Sequence, residues 1–251
     1  MEFDIGAIKS KYDSQIFGGT NDLSNLKKSD IRPPSRQSAA SEAKDAESMI
    51  EEPPPLRQEP FQSGSTPTHL ENRFMVWNSV GIVRSTDTEN ENSIDVEFHD
   101  ITFHHSIHLP NVDNYSMADL SSNALILATN GDESATNGRL FCMLLNIWDA
   151  TKEWQIDLPP QEFIEAIACG SGFIAVATDK GFVRIFTTGG IQTNLFSISG
   201  RVVCLSAFEN FLLVIYHFGS GMPDEQSLSM YVLNMESANR KSYIRCQTRL
   251  Q

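Results

Sequence analysis

The stretch IEAIACGSGFIAVATDKGFVRIFTTGGIQTNLFS, from Ile164 to Ser197, decides the fold. It contains four short runs of apolar or alternating residues: Ile164–Cys169, Phe173–Thr178, Phe182–Thr187 and Ile191–Ser197. The runs are separated by Gly-Ser-Gly, Asp-Lys-Gly and Gly-Gly. These separators favour tight turns, because glycine adopts positive φ without strain and aspartate bonds to its own backbone. Four strands joined in this way predict an antiparallel meander.

The same four-strand unit recurs on both sides of this stretch. A downstream copy comprises Val202–Ala207, Phe211–His217, Leu228–Asn234 and Lys241–Arg245. An upstream copy comprises Tyr115–Leu120, Ala124–Thr129, Arg139–Asn146 and Lys152–Asp157, and a weaker first copy comprises Phe74–Trp77, Val80–Arg84, Ser93–Phe98 and His104–His108. Four-stranded units that repeat every 38 to 49 residues are typical of β-propeller blades.

The apolar pattern of the units agrees with this interpretation. Second strands such as Phe173–Thr178 and Phe211–Tyr216 are almost wholly apolar, as blades buried on both faces require. The outer strand Lys152–Asp157 alternates, which is typical of a half-exposed edge. Only four units are visible, and no closing strand follows residue 246. The sequence therefore predicts an all-β fold in which residues 67–251 form an incomplete β-propeller of about four blades.

Residues 1–66 have a different composition from the rest. They contain six of the eleven prolines, no Val, Trp, His or Cys, and only 11 Leu, Ile and Phe. This is too little apolar surface to offset the entropy lost on ordering, so a disordered linker is predicted over 1–66. Ile5, Ile8, Tyr12 and Ile16 have helical spacing. They could form a segment that folds in a partner's groove, although chance spacing in a disordered tail is the favoured interpretation.

The charge and the cysteines exclude several classes of protein. The 19 Lys and Arg against 32 Asp and Glu give a net charge of −13, which argues against direct nucleic-acid binding by this segment. No apolar run approaches the roughly 18 residues of a membrane span, and the N-terminus does not resemble a secretory signal. Cys142, Cys169, Cys204 and Cys246 form no CxxC pair, and are predicted to be mostly buried thiols in a reducing compartment.

No catalytic, cofactor-binding or metal-ligating residue is predicted. His99, His104, His105 and His108 crowd ten residues, but their spacing matches no closed zinc site, so exposed edge-strand histidines are expected. Gly170-Ser171-Gly172 and Gly219-Ser220-Gly221 lack the spacing of a nucleophile loop and are interpreted as turns.

Trp77, Trp148 and Trp154 could anchor a peptide, but space-filling between blades is favoured. Ser14 and Thr66 lie in minimal kinase motifs, which are weak indications of regulation.

Longer strings of sequence resemble a known family. They are Glu59–Pro67, Arg73–Gly81, Ile94–Asp100 and Lys152–Pro159, and the runs Phe182–Gly190 and Ile191–Gly200 fit as well. Over residues 59 to about 220 the chain resembles the SepB-type middle propeller of the replisome adaptor family. That family includes the WD-repeat and HMG-box DNA-binding proteins of metazoans and the chromosome transmission fidelity adaptor of yeast.

The resemblance implies a nuclear, non-enzymatic scaffold at the DNA replication fork, without cofactors. In the family, a six-bladed middle propeller trimerises and is followed by a helical bundle on which client peptides dock. The family links the replicative helicase, through its GINS subunits, to DNA polymerase alpha–primase. No helical bundle, WD40 propeller or HMG box is visible in this sequence. The chain is therefore expected to be a C-terminally truncated fragment, and a generic propeller with a client outside the replisome is the alternative.

Overall fold

The structure is a computed structural model, and it describes residues 57–102, 104–131, 134–146, 153–219, 226–235 and 243–250. The tail segment with Ile5, Ile8, Tyr12 and Ile16 lies outside the described residues, and so do Ser14, Trp148 and Ser220. No helix in the described ranges is long and apolar enough to cross a membrane.

Sixteen strands occupy the described residues. They are β1 (Asn72–Trp77), β2 (Gly81–Thr88), β3 (Glu91–Phe98), β4 (Ile107–Pro110), β5 (Met117–Leu120), β6 (Ala124–Thr129), β7 (Arg139–Leu144), β8 (Glu153–Asp157), β9 (Ile164–Cys169), β10 (Phe173–Thr178), β11 (Phe182–Thr187), β12 (Gln192–Ser197), β13 (Val202–Phe208), β14 (Phe211–His217), β15 (Gln226–Asn234) and β16 (Tyr243–Leu250).

The strands form four separate four-stranded sheets, each with its strands in sequence order and all pairs antiparallel. We call the sheets blades 1 to 4, starting from β1–β4. The all-β fold of four antiparallel four-stranded blades, predicted from the sequence, is confirmed. The main differences lie in blade 1, where β2 extends to Thr88 and β4 occupies Ile107–Pro110 instead of His104–His108, and in the last strand, where β16 occupies Tyr243–Leu250 instead of Lys241–Arg245.

Consecutive blades share hydrophobic cores because their second strands are apolar on both faces. In β6, Leu125 and Leu127 pack into the core shared with blade 1, whereas Ile126 packs into the core shared with blade 3. In β10, Ile174 packs toward blade 2 and Ala175 toward blade 4. Every residue of β6 and β10 is buried. The blades therefore stack face to face, and the first strands of neighbouring blades contact one another, as blades around a common axis do.

Blades 1 and 4 differ from the two blades between them. In β2, buried residues alternate with half-buried or exposed residues. In β14 the same alternation occurs, since Leu213 and Ile215 are half-buried and Phe211 is 46% exposed. The prediction that Phe211–Tyr216 is buried on both faces is therefore wrong for one face. The reason is that, within the described residues, blade 4 packs against blade 3 on one face only.

Candidate binding site beside the strap

Residues 58–66 precede the first strand and lie against three of the blades; we call them the strap. Backbone hydrogen bonds join Phe61 to Val203 of β13, Trp77 of β1 to Gly64, and Thr66 to Phe74 of β1. Gln58 also contacts blade 4, where its carbonyl oxygen lies 2.9 Å from His217 Nε2. A linker over 1–66 was predicted from composition, but residues 58–66 are thus tied to the blades by specific hydrogen bonds.

Gln62 is the best-anchored residue of the strap. Its side-chain amide donates to the carbonyl oxygen of Ile167 at 2.8 Å, and its Oε1 accepts from the Ile167 N–H at 3.1 Å. Because β9 is an edge strand of blade 3, Ile167 has no strand partner on this side. The side chain of Gln62 is buried and stands in for the backbone of a missing neighbouring strand.

We expect Gln62→Ala to lower the free energy of unfolding by about 3 kcal/mol, since it leaves two backbone groups of Ile167 buried without partners. The matched control is Gln58→Ala. The side chain of Gln58 is exposed and donates only to the adjacent carbonyl of Glu59, so its loss should change stability by less than about 0.5 kcal/mol. Urea unfolding of both variants tests this prediction. Equal stability of the two variants would mean that the strap is not docked.

A cavity of about 690 Å³ lies beside the strap. It opens at the end of the blades where the first strands begin and the second strands end. Its polar wall is formed by Glu59 of the strap and by Arg73, Asn130, Glu165, Asp179 and Arg201 of the blades. The volume falls within the range of small-molecule and side-chain binding pockets.

Three charged side chains of this wall form one cluster. Arg201 donates from Nε to Glu165 at 2.6 Å, and its Nη1 lies 2.7 Å from Glu59. The side chain of Glu165 is only 8% exposed, whereas those of Glu59 and Arg201 reach solvent. Burial raises the pKa of Glu165, and the nearby Arg201 partly offsets the rise.

A further acidic residue, Asp119 of β5, lies at the contact between blades 2 and 3. Its Oδ2 accepts from the Cys169 N–H of β9 at 2.7 Å, and its Oδ1 accepts from the Leu120 N–H at 2.9 Å. Although part of the residue reaches the surface, burial of the carboxyl group raises its pKa to about 6. The two N–H donors and Asn78 oppose the rise but do not cancel it.

We expect Asp119 to make the fold less stable as the pH rises. The pKa of the Asp119 carboxyl group is higher in the folded protein than in the unfolded chain, so the protonated carboxyl group stabilises the fold. This stabilisation is complete below pH 3.8 and is lost as the pH rises through about 6. Between pH 4 and pH 7 the loss should be about 2 kcal/mol. Asp119→Asn keeps an oxygen for the Cys169 N–H and carries no charge. Urea unfolding of both proteins across this range should show that the free energy of unfolding of the wild type falls relative to that of the variant. If the two free energies changed with pH in parallel, the raised pKa of Asp119 would be contradicted.

The histidines that crowd residues 99–108 do not converge. His99 Nε2 lies 3.0 Å from the carbonyl oxygen of Asn78, and His108 Nδ1 lies 2.7 Å from Asp95. His104 packs against Phe98 with its ring centroid 4.9 Å away. His99 and His104 line a separate cavity of about 490 Å³ between blades 1 and 2, at the end of the blades opposite the strap cavity.

Among the described residues, no three His, Cys, Asp or Glu side chains are close enough to share a metal ion. The expectation of exposed edge-strand histidines holds for His108 in β4, but His104 and His105 precede that strand and His104 is half-buried.

The other residues singled out by sequence take structural positions. Gly170-Ser171-Gly172 is the turn between β9 and β10, as predicted. The hydroxyl of Thr66 is half-buried and bonds to the backbone of Phe74. Cys142, Cys169 and Cys204 are buried free thiols, as predicted, and burial raises the pKa of each. The side chain of Cys246 lies outside the described residues.

The two described tryptophans differ. Trp154 packs in the core shared by blades 2 and 3 and donates from Nε1 to the Thr188 carbonyl at 2.7 Å, so space-filling between blades is confirmed for it. Trp77 is 56% exposed, and the space-filling prediction is wrong there. Its backbone is held by Gly64 of the strap while its ring lies 5.2 Å from Phe74, at the side of blade 1.

Sequence reasoning missed Gln62, Asp119 and Glu165. All three are polar residues with buried side chains or carboxyl groups, and each forms hydrogen bonds to an edge strand or a loop of another blade. The sequence gives a weak indication that Glu165 has a special role, because its carboxylate interrupts the otherwise apolar run Ile164–Cys169. It gives no such indication for Gln62, since the hydrogen-bond partner of Gln62 is 105 residues away.

Four successive meander sheets, each sharing a hydrophobic core with the next along the chain, define a domain built of β-propeller blades. The family model described as "Minichromosome loss protein, Mcl1, middle region" matches residues 59–251. The chain therefore belongs to the Mcl1 middle-region family. The match begins within the strap, which supports treating the strap and blades together.

Curated relatives agree with this assignment. The chain is 47% identical over 182 residues to "WD repeat and HMG-box DNA-binding protein 1" of Homo sapiens, covering 72% of this chain and 16% of that protein. It is 29% identical to "Minichromosome loss protein 1" of Schizosaccharomyces pombe, covering 64% of this chain and 20% of that protein. The chain thus spans a fifth or less of the length of these relatives.

Two solved structures are distantly similar to the chain. The N-terminal domain of BBS1 in complex with ARL6 matches at TM-score 0.38 and 10% identity, covering 70% of this chain and 64% of that one. Hsv2p of Kluyveromyces lactis matches at TM-score 0.33 and 9% identity, covering 76% and 74%. Scores below 0.5 are too low to support an assignment, and the blade arrangement rests on the strand order and the shared cores.

Proposed function

We propose that this chain is part of a non-enzymatic scaffold of the DNA replication fork in the nucleus. Its partners are the GINS subunits of the replicative helicase and DNA polymerase alpha–primase, and in the full-length protein its propeller contributes to a homotrimer. The observation that carries the proposal is membership of the Mcl1 middle-region family, together with 47% identity to "WD repeat and HMG-box DNA-binding protein 1" of Homo sapiens.

The geometry favours binding over catalysis. In the wall of the strap cavity Arg201 is paired with Glu165 and Glu59, and among the described lining residues no hydrogen bond joins a nucleophile to a base. The net charge of −13 favours contacts with basic protein surfaces over contacts with nucleic acid. A generic propeller module with a client outside the replisome is the second candidate, since blade architecture alone does not specify a client.

Direct binding to purified partners tests the replication role. We expect the full chain, immobilised through its N-terminus, to bind the purified GINS complex or DNA polymerase alpha–primase in biolayer interferometry. Residues 1–57 alone serve as the control, because they precede the strap and the blades in sequence. Failure of the folded chain to bind either complex would favour the client outside the replisome.

Light scattering after size-exclusion chromatography tests the trimer. A particle of three times the monomer mass is expected if the surface for assembly lies within this chain. A monomer that retains the β-sheet circular dichroism signal would exclude self-assembly by these four blades.

A further inference from the structure

The wall of the strap cavity contains a buried carboxylate with unused hydrogen-bonding capacity. Glu165 uses Oε1 to accept from Arg201, but its Oε2 is buried and accepts from no donor among the described residues. A buried acceptor without a partner costs about 1–3 kcal/mol. Such groups are rare in folded proteins and call for an explanation.

The charges around Glu165 do not balance. Arg201 is shared between Glu165 and Glu59, so two carboxylates face one guanidinium. The other arginine of the wall, Arg73, donates to the Ser116 carbonyl rather than to either carboxylate. This part of the cavity therefore carries a net negative charge next to an empty volume large enough for a side chain.

We propose that the strap cavity binds an arginine side chain of a partner protein, with its guanidinium bonded to Glu165 and Glu59. A guanidinium suits this site because it presents several donors in a plane and is less strongly hydrated than an ammonium group. Oε2 of Glu165, which has no donor among the described residues, is the acceptor for the guest, and the broad, shallow preference of the terminal carboxyl torsion lets it adjust to the guanidinium. The chain's net charge of −13 attracts basic segments of a partner.

This proposal goes beyond the replication role and does not depend on it, because it specifies the chemistry of one pocket for any client. The probe is the peptide acetyl-Gly-Arg-Gly-amide, added to the ¹⁵N-labelled full chain. Its neutral counterpart carries citrulline, which has nearly the same shape but no charge. We expect the arginine peptide to shift the backbone amide signals of Glu165, Arg201 and Asn130, and the citrulline peptide to bind at least about tenfold more weakly.

Substitution of the acidic wall identifies the contact. Glu165→Gln should weaken binding of the arginine peptide at least about tenfold. The matched control is Glu153→Gln on the exposed face of β8, which removes the same charge away from the cavity and should leave binding unchanged. Glu59→Gln, whose side chain is 73% exposed, should fold normally and weaken binding about threefold.

Three results would overturn the proposal: no shifts with the arginine peptide, equal shifts with the citrulline peptide, or unchanged binding in both Glu165→Gln and Glu59→Gln. If Glu165→Gln does not fold, Glu59→Gln decides the matter. Because the probe contains no replication protein, failure here leaves the binding test with GINS and polymerase alpha–primase unaffected.

Discussion

Replacing Ile174 by alanine should lower the free energy of unfolding by about 4 kcal/mol. Ile174 lies in β10, is completely buried, and packs in the core shared by blades 2 and 3. Truncation removes its apolar surface from that core and leaves a cavity that two rigid sheets cannot close. Urea unfolding followed by circular dichroism measures the loss. Because the expected loss is a large part of a typical domain's stability, Ile174→Val, with a loss of about 1 kcal/mol, is the milder variant.

Leu195→Ala is the control for this prediction. Leu195 lies in β12 on the same blade but is 47% exposed, so its truncation should change stability by less than about 0.5 kcal/mol. If Ile174→Ala were as stable as Leu195→Ala, the face of β10 toward blade 2 would not be buried. The face-to-face stacking of blades 2 and 3 would then be contradicted.

Glu162→Ala should also cost about 4 kcal/mol. The carboxylate of Glu162 accepts two hydrogen bonds from Arg184, at 2.8 Å from Nε and 2.7 Å from Nη2, and both side chains are largely buried at 6% and 11% exposure. Arg184 holds the pKa of Glu162 below its usual value of 4.5, so the pair stabilises the fold at neutral pH, and this contribution is lost as the pH falls below 4.5 and through the lowered pKa of the folded state. Removing the carboxylate leaves a buried guanidinium without its counter-ion.

An exposed ion pair provides the comparison. Arg84 and Glu97 form a salt bridge between β2 and β3, with 46% and 51% of their side chains exposed. Glu97→Ala should therefore cost less than about 1 kcal/mol. The double variant Glu162→Leu with Arg184→Met should recover most of the loss, because it removes both buried charges. A loss no larger than that of Glu97→Ala would show that the Glu162–Arg184 pair is open to solvent.

The blades could be predicted from sequence because each blade's pattern is local. In Phe173–Thr178, consecutive apolar residues point to opposite faces, so the run by itself predicts that both faces are buried. The short Gly-rich turns predict that neighbouring strands pair. The same logic failed for Phe211–His217, where the residues are equally apolar but one face lacks a neighbouring sheet among the described residues. Burial there depends on what packs alongside, which the strand's own sequence does not contain.

The candidate site could not be predicted, because its parts come from distant positions. Gln62 lies in a segment whose composition is typical of a linker, and only its pairing with Ile167 gives it a place in the fold. In the wall of the strap cavity, Glu59 comes from the strap, Glu165 from β9 and Arg201 from the turn before β13. Turn lengths and the stacking of blades set these distances, and no spacing along the chain encodes them.

Amide hydrogen exchange of β6 and β10 tests the central claim, that neighbouring blades stabilise one another through shared cores. In the wild-type chain both strands should exchange with the free energy of global unfolding. In the Ile174→Val variant, where the change is in blade 3, protection of β6 in blade 2 should fall with that of β10, each by about 1 kcal/mol. A loss of protection confined to β10, with β6 unchanged, would contradict shared cores and the propeller arrangement built on them.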